Sequence, residues 1–191
     1  MRLGVILAVA FTVAIVGAAA ILYFVNFFQP PVKEIELVMV DYGFNRASFA
    51  PTLMVKAGEV VVIKLKNNGA HPHEFMVVPN KDMALMMMKN LISEIDQMDL
   101  SEEEKLELYE ERHKEIMMNM DRMYDFEMEP EEVGESPGMI MVTVLPGEEL
   151  TIRIVINDPG TYWYLCQEAD GTWPQIHQEK GMVGKLIVEE A

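Results

Sequence analysis

The sequence predicts a mainly β fold: a β-sandwich interrupted by an α-helical hairpin and preceded by one transmembrane helix. Three observations predict it. Leu3 to Phe28 is a 26-residue apolar run. Short strands punctuated by Gly, Pro and Asn turns fill the regions on either side of residues 80–136, the pattern of a sandwich. Between them, residues 80–136 switch to apolar positions three and four apart, the period of a helix.

At about 1.5 Å per residue the N-terminal run spans a hydrocarbon core of about 30 Å with some tilt. Arg2 precedes it, which keeps the N-terminus inside and places the rest outside. A cleaved signal peptide is the competing reading, and Ala18 to Ala20 offers small residues. The apolar stretch continues through Val25, too long for a signal core. Residues 1–30 are therefore expected to be an uncleaved anchor, and residues 31–191 a domain on the extracytoplasmic side of the cell membrane.

Glu34 to Val40 is apolar and β-branched enough for a strand, and Asp41 to Pro51, with Gly43 and Asn45, reads as a loop or irregular edge. Thr52 to Val55 is a short strand. In Val60 to Lys66, Val61, Ile63 and Leu65 alternate with Val62, Lys64 and Lys66, so one face is buried. Asn67 to Gly69 breaks it, and His73 to Val78 is the next strand. In the second half, Met139 to Leu145, Leu150 to Ile156, Tyr162 to Cys166 and Gly184 to Val188 read as strands, separated by Pro146-Gly147 and Asn157 to Gly160.

The insert, residues 80–136, carries eighteen Asp/Glu against six Lys/Arg, so it supplies −12 of the chain's net −16, and ten of its seventeen methionines. Met83, Leu85, Met86, Met87, Met88, Leu91, Ile95 and Met98 fit one helix. Ser101 and Glu104 form a capping box for a second, whose seam is Leu106, Tyr109, His113, Ile116, Met120 and Met123. Thioethers can hold Cu(I), but adaptable packing is the commoner use of methionine. His113 is read as a seam residue, not a ligand. The acidic face either steers a basic redox partner or is merely solvated.

Net charge excludes one function class, since a chain at −16 lacks the basic patch that nucleic acid requires. Half of the 191 residues are apolar and one is cysteine, so no internal disulfide forms. A lone thiol outside the cell is open to oxidation, and binding a metal protects it. Cys166 ends a strand; His177 follows, then Met182 five residues on. A thiolate and two imidazoles in a plane with a weak thioether hold a mononuclear copper ion. The second imidazole comes from His71-Pro72-His73. His73, at the start of a strand, is the expected donor, with His71 a neighbour. Zinc is chemically unattractive for this set.

KAGEVVVIKLKNNGAHPHEF, and LPGEELTIRIVINDPGTYWYLC followed by His177 and GMVGKLIV, resemble the two ligand regions of the cupredoxins, the single-copper Greek-key sandwich family of plastocyanin and azurin. The resemblance covers a little over half the chain. It implies His73, Cys166, His177 and Met182 as ligands of one type 1 copper, with electrons leaving through His177. It further implies an electron carrier without enzymatic activity, serving a redox partner that is expected to be a respiratory complex in the same membrane. Copper storage or delivery through the Met-rich hairpin, and an accessory role in a membrane assembly, are the alternatives. The chain departs from the family at Glu74, where an Asn usually braces the Cys loop. It departs again in the ten residues between Cys166 and His177, which include Trp173 and Pro174 and resemble the longer loops of copper nitrite reductases. The third departure is the hairpin itself.

Overall fold

A computed structural model describes residues 32–121, 141–169 and 173–191. The predicted N-terminal anchor, the end of the insert and its turn at Pro137-Gly138 lie outside the described residues. No helix among the described residues is long and apolar enough to cross a membrane.

Nine strands are described: β1 (Val32–Val40), β2 (Gly43–Phe44), β3 (Leu53–Lys56), β4 (Val60–Asn67), β5 (His73–Val78), β6 (Met141–Val144), β7 (Glu149–Val155), β8 (Gly160–Leu165) and β9 (Val183–Glu189). They form two sheets, ordered β2-β1-β4-β7 and β3-β9-β8-β5-β6. Two pairs are parallel, β1 with β4 and β3 with β9, a pairing that strand alternation does not specify. In β4, Val61, Ile63 and Leu65 face the core while Lys64 is exposed, as the alternation predicts. Between the sheets lie Leu37, Met39, Phe44, Phe75, Val77, Tyr162, Tyr164 and Leu186.

Every residue of β5 is buried, because the strand is covered on both faces. Phe75 and Val77 point into the sandwich. Met76 and Val78 point the other way, into a second core made with the hairpin. That hairpin is α1 (Lys81–Asp96) and α2 (Glu102–Asp121). Asn80 caps α1 by accepting the N–H groups of Asp82 and Met83 at 3.1 and 3.0 Å. Ser101 and Glu104 form the expected box. The Glu104 N–H donates to Ser101 Oγ at 3.3 Å and the Ser101 N–H to Glu104 Oε2 at 2.8 Å.

The buried face of α1 is Ala84, Met88, Leu91, Ile92 and Ile95. The helix contains Met83, Met86, Met87 and Met88 as predicted, but not all of them face inward. Met83 and Met86 are 37% and 55% exposed, and Ala84 takes the inner position. On α2, Tyr109 and His113 are buried, on the predicted seam. The segment read as an irregular edge contains β2 and a bridge between Arg46 and Phe49. Tyr42, Asn45 and Ser48 there adopt left-handed backbone, with φ of 64°, 67° and 54°.

Candidate metal centre

β5 and β8 are antiparallel neighbours with Met76 opposite Leu165. β8 and β9 are antiparallel with Leu165 opposite Val183. The start of β5, the end of β8 and the start of β9 therefore share one end of the sheet. His73 opens β5, Cys166 follows β8 and Met182 precedes β9. Side chains two apart on a strand share a face, so His73 faces inward with Phe75, and Cys166 faces inward with Tyr164.

His177 arrives at the same place through the Cys166–His177 loop. It opens a one-turn 3-10 helix, His177–Lys180, which Gly181 ends with φ of 110°. A Cβ on Gly181 would lie 2.9 Å from Ser48 Cα, so both backbone angle and space require glycine. The loop is held by its own backbone. His177 N–H donates to the Glu168 carbonyl at 2.8 Å, Met182 N–H to the His177 carbonyl at 3.1 Å, and Cys166 N–H to the Met182 carbonyl at 3.1 Å.

The donors converge. His73 Nδ1 and His177 Nδ1 are 3.2 Å apart, and Cys166 Sγ lies 3.4 Å from His177 Nδ1 and 4.0 Å from His73 Nδ1. A metal held at about 2.0 Å by nitrogen and about 2.3 Å by sulfur separates two nitrogens by about 3.3 Å and sulfur from nitrogen by about 3.6 Å at angles near 110°. The triangle fits. His73, Cys166, His177 and Met182 are all fully buried. Burial pushes the Cys166 thiol well up, and the nearby Glu74 carboxylate adds to this. A metal cation reverses that balance by taking the proton's place on sulfur. One soft thiolate, two imidazoles and a thioether are the donor set of a single type 1 copper site.

The residues around the donors were only partly visible in the sequence. The Asn67 side chain donates to the carbonyls of His71 and Val144, both at 2.8 Å, and accepts the Gly69 N–H at 2.8 Å. It thereby fixes the turn that presents His73, although the sequence marked it only as a strand breaker. Asp41 accepts the Ala70 N–H at 2.8 Å and sets Oδ1 3.5 Å from His73 Nε2. Nothing in the sequence pointed to Asp41. His71 stays outside the donor group, as expected. Its ring lies 6.2 Å from that of His177 and stacks on Tyr42 at 6.5 Å. His177, through which electrons are expected to leave, is as fully buried as the other donors, with Tyr42 edge-on to it at 5.3 Å.

Glu74 keeps the bracing role that its replacement of Asn put in question. Its N–H donates to Cys166 Sγ at 3.3 Å, and its carboxylate accepts the Gln167 N–H. Burial raises it to about 7, partly offset by that bond. His113 Nδ1 of α2 stands 3.7 Å from Glu74 Oε1. Burial pushes His113 down to about 4. The separation is within ion-pair range, but the dry surroundings of both groups favour the neutral pair. The donor group found among the described residues is His73, Cys166 and His177. The hairpin packs against Ala169, Trp173 and Ile176 on either side of residues 170–172. Trp173 donates to Asp96 Oδ1 at 3.4 Å and meets Tyr109 edge-on at 5.8 Å.

No family model matches the chain, and no curated protein does. Among solved structures it is similar to a dithionite-reduced auracyanin from the photosynthetic bacterium Roseiflexus castenholzii, at 16% identity over 83% of this chain and 98% of that one, with a TM-score of 0.47. It is similar to auracyanin A, described as a blue copper protein, from Chloroflexus aurantiacus, at 18% identity over 83% and 99%, TM-score 0.47. It is also similar to a multi-copper oxidase from Pseudomonas thermotolerans, at 16% identity over 85% of this chain and 30% of that one, TM-score 0.46. Likeness at this level carries no function from one chain to another, so the chemistry rests on the side chains alone.

Proposed function

We propose that this chain is a type 1 copper electron-transfer protein, anchored at the outer face of a membrane by Leu3 to Phe28. One observation carries the reading: two imidazole nitrogens and a cysteine sulfur converge, fully buried, from three separate chain segments. Copper bound there supplies a one-electron couple, Cu(II)/Cu(I).

The protein's part is to hold His73, Cys166, His177 and Met182 in one arrangement for both oxidation states. The backbone bonds among Cys166, His177 and Met182 and the Asn67-braced turn before His73 keep the donors from rearranging. Four protein donors in a dry site leave no position for a substrate, which supports a carrier in preference to an enzyme. Tyr42 and His71 stand over His177, so a redox partner meets these rings and not the ligand itself. A respiratory complex in the same membrane is the partner that an anchored carrier suits, because the tether raises effective concentration.

The test is one equivalent of Cu(II) added to the metal-free protein. The expected result is an intense visible thiolate-to-copper band, bleached by ascorbate and lost in Cys166→Ser. A colourless protein that takes up several Cu(I) sinks this reading. It would favour copper handling by thioethers, for which the exposed Met83 and Met86 are an observation in support among the described residues.

A further inference from the structure

Each of the three ligands from His73 to His177 is followed in the chain by a buried polar residue: Glu74 after His73, Gln167 after Cys166, Gln178 after His177. Buried polar groups are costly without partners, so their partners matter. All three meet the helical hairpin. Tyr109 Oη donates to the Gln167 carbonyl at 2.7 Å. Gln178 Nε2 donates to the carbonyl of Lys81, the first residue of α1, at 3.0 Å. His113 Nδ1 stands 3.7 Å from Glu74 Oε1. The three are also linked to one another. Gln167 Nε2 donates to Gln178 Oε1 at 3.2 Å, and Gln167 N–H donates to the Glu74 carboxylate. Tyr109 and His113 stack at 5.5 Å, nearly parallel at 15°, so they present a single face.

We propose that the hairpin is a working part of the metal site, with Tyr109 and His113 as positioning residues that hold Gln167 and Glu74 and thereby fix the Glu74 N–H on the Cys166 sulfur. This deepens the copper reading and rests on it. Hydrogen bonding at a thiolate and the groups behind a ligand tune a copper centre. A donor on the sulfur withdraws electron density from it and favours the reduced metal. The Glu74 N–H can do this only while Glu74 and Gln167 stay in register, and Tyr109 ties Gln167 down from the hairpin side. The hairpin also solves a problem that Glu74 creates. A carboxyl in place of a neutral amide needs polar company in a dry place, and α2 brings His113 to it. Glu74 and the hairpin are thus one feature of the chain, not two unrelated departures from a small cupredoxin.

The test compares Tyr109→Phe and His113→Asn with Arg112→Ala in the full chain. Tyr109→Phe keeps the ring against His113 and Trp173 and removes only the donor. Arg112, next to His113 on the same helix, ties α2 to α1 through an ion pair with Glu94 at 2.5 Å, and it makes none of the hydrogen bonds of the network. Four readouts are taken. In the copper-loaded protein, these are the visible band, the reduction potential and the copper affinity. In the metal-free protein, it is the rate at which iodoacetamide alkylates Cys166, which is buried. The expected result is a shifted band, a lowered potential and copper affinity reduced by about tenfold or more in Tyr109→Phe. Alkylation should be about fivefold faster, the effect of one buried hydrogen bond. His113→Asn should change band and potential in the same direction, and Arg112→Ala should leave all readouts as they were.

Unchanged band, potential and alkylation in both network variants overturn the proposal while leaving the copper reading intact. Equal shifts in Arg112→Ala overturn it too, because general loosening of the hairpin then suffices. If Tyr109→Phe does not fold, His113→Asn alone decides through the same readouts. Should the parent protein take up no copper, the functional reading has failed, and alkylation still reports whether the hairpin braces the Cys166 loop.

Discussion

Gly184→Ala is a single-methyl change with a consequence that can be worked from the structure. Gly184 lies in β9 against Tyr164 of β8. An added Cβ would fall within 3.0 Å of Cζ, Oη and Cε1 of Tyr164. The ring, with Cζ 2.1 Å from the added atom, would have to retreat by roughly 1.4 Å to reach an ordinary contact of about 3.5 Å. It has nowhere to go. Phe44 meets it edge-on at 4.9 Å, Phe75 stacks on it at 5.7 Å, and Oη donates to the Pro51 carbonyl. Overpacking of this kind costs about 1–3 kcal/mol, and breaking the Oη bond adds about 1 kcal/mol. We expect a loss of about 3 kcal/mol in urea unfolding of the metal-free protein, followed by circular dichroism. This corresponds to a fall in Tm of roughly 6–12 °C for a chain of this size. Gly58→Ala is the comparison. Gly58 has φ of 72° with nothing within 4 Å of an added Cβ, so it should lose only the cost of left-handed backbone, about 1 kcal/mol. The reasoning is refuted if Gly184→Ala is no less stable than Gly58→Ala.

Stability against pH should be level near pH 4.5–6.5 as far as the Glu74–His113 pair decides it. Glu74 is raised from 4.5 to about 7, so its contribution is full below 4.5 and is lost as pH rises through 7. His113 is lowered from 6.5 to about 4, so its contribution is full above 6.5 and is lost as pH falls through 4. The two slopes oppose. Removing His113 with His113→Asn should leave a protein that weakens as pH rises, and Glu74→Gln one that weakens as pH falls. Urea midpoints from pH 4 to 8 check this, and a parent protein sloping like either variant contradicts the assignment. Met88 is fully buried in the second core, so Met88→Ala should cost about 2–5 kcal/mol. Met86→Ala, at an exposed position, should change stability by under about 0.5 kcal/mol. If thioethers of the hairpin only pack, both variants bind as much copper as the parent; a lower copper count in Met86→Ala would assign that side chain to metal binding.

The sequence by itself marked eight of the nine described strands, the two helices of the hairpin and the residues proposed as donors. Alternation in Val60 to Lys66 set the buried face of β4, and the Ser101–Glu104 box set the start of α2, because both signals are local. Cys166, His177 and Met182 were legible because three different metal-binding side chains fall within seventeen residues. Tertiary structure decided what depends on neighbours distant in the chain. A strand's own residues do not say which edge it will join, so the parallel pairs β1–β4 and β3–β9 were not visible. Neither was β5, with Phe75 to Val78 apolar in succession, legible as a strand covered on both faces, since its second cover, the hairpin, follows it in the chain. Asn67 and Asp41 looked like ordinary turn residues. Their roles come from where the turn before His73 and the loop after β1 meet. Glu74 looked like a defect in a familiar pattern. Only the fold, by laying α2 across the end of β5, placed Tyr109 beside Gln167 and His113 beside Glu74, and so gave a buried carboxyl the polar surroundings it requires.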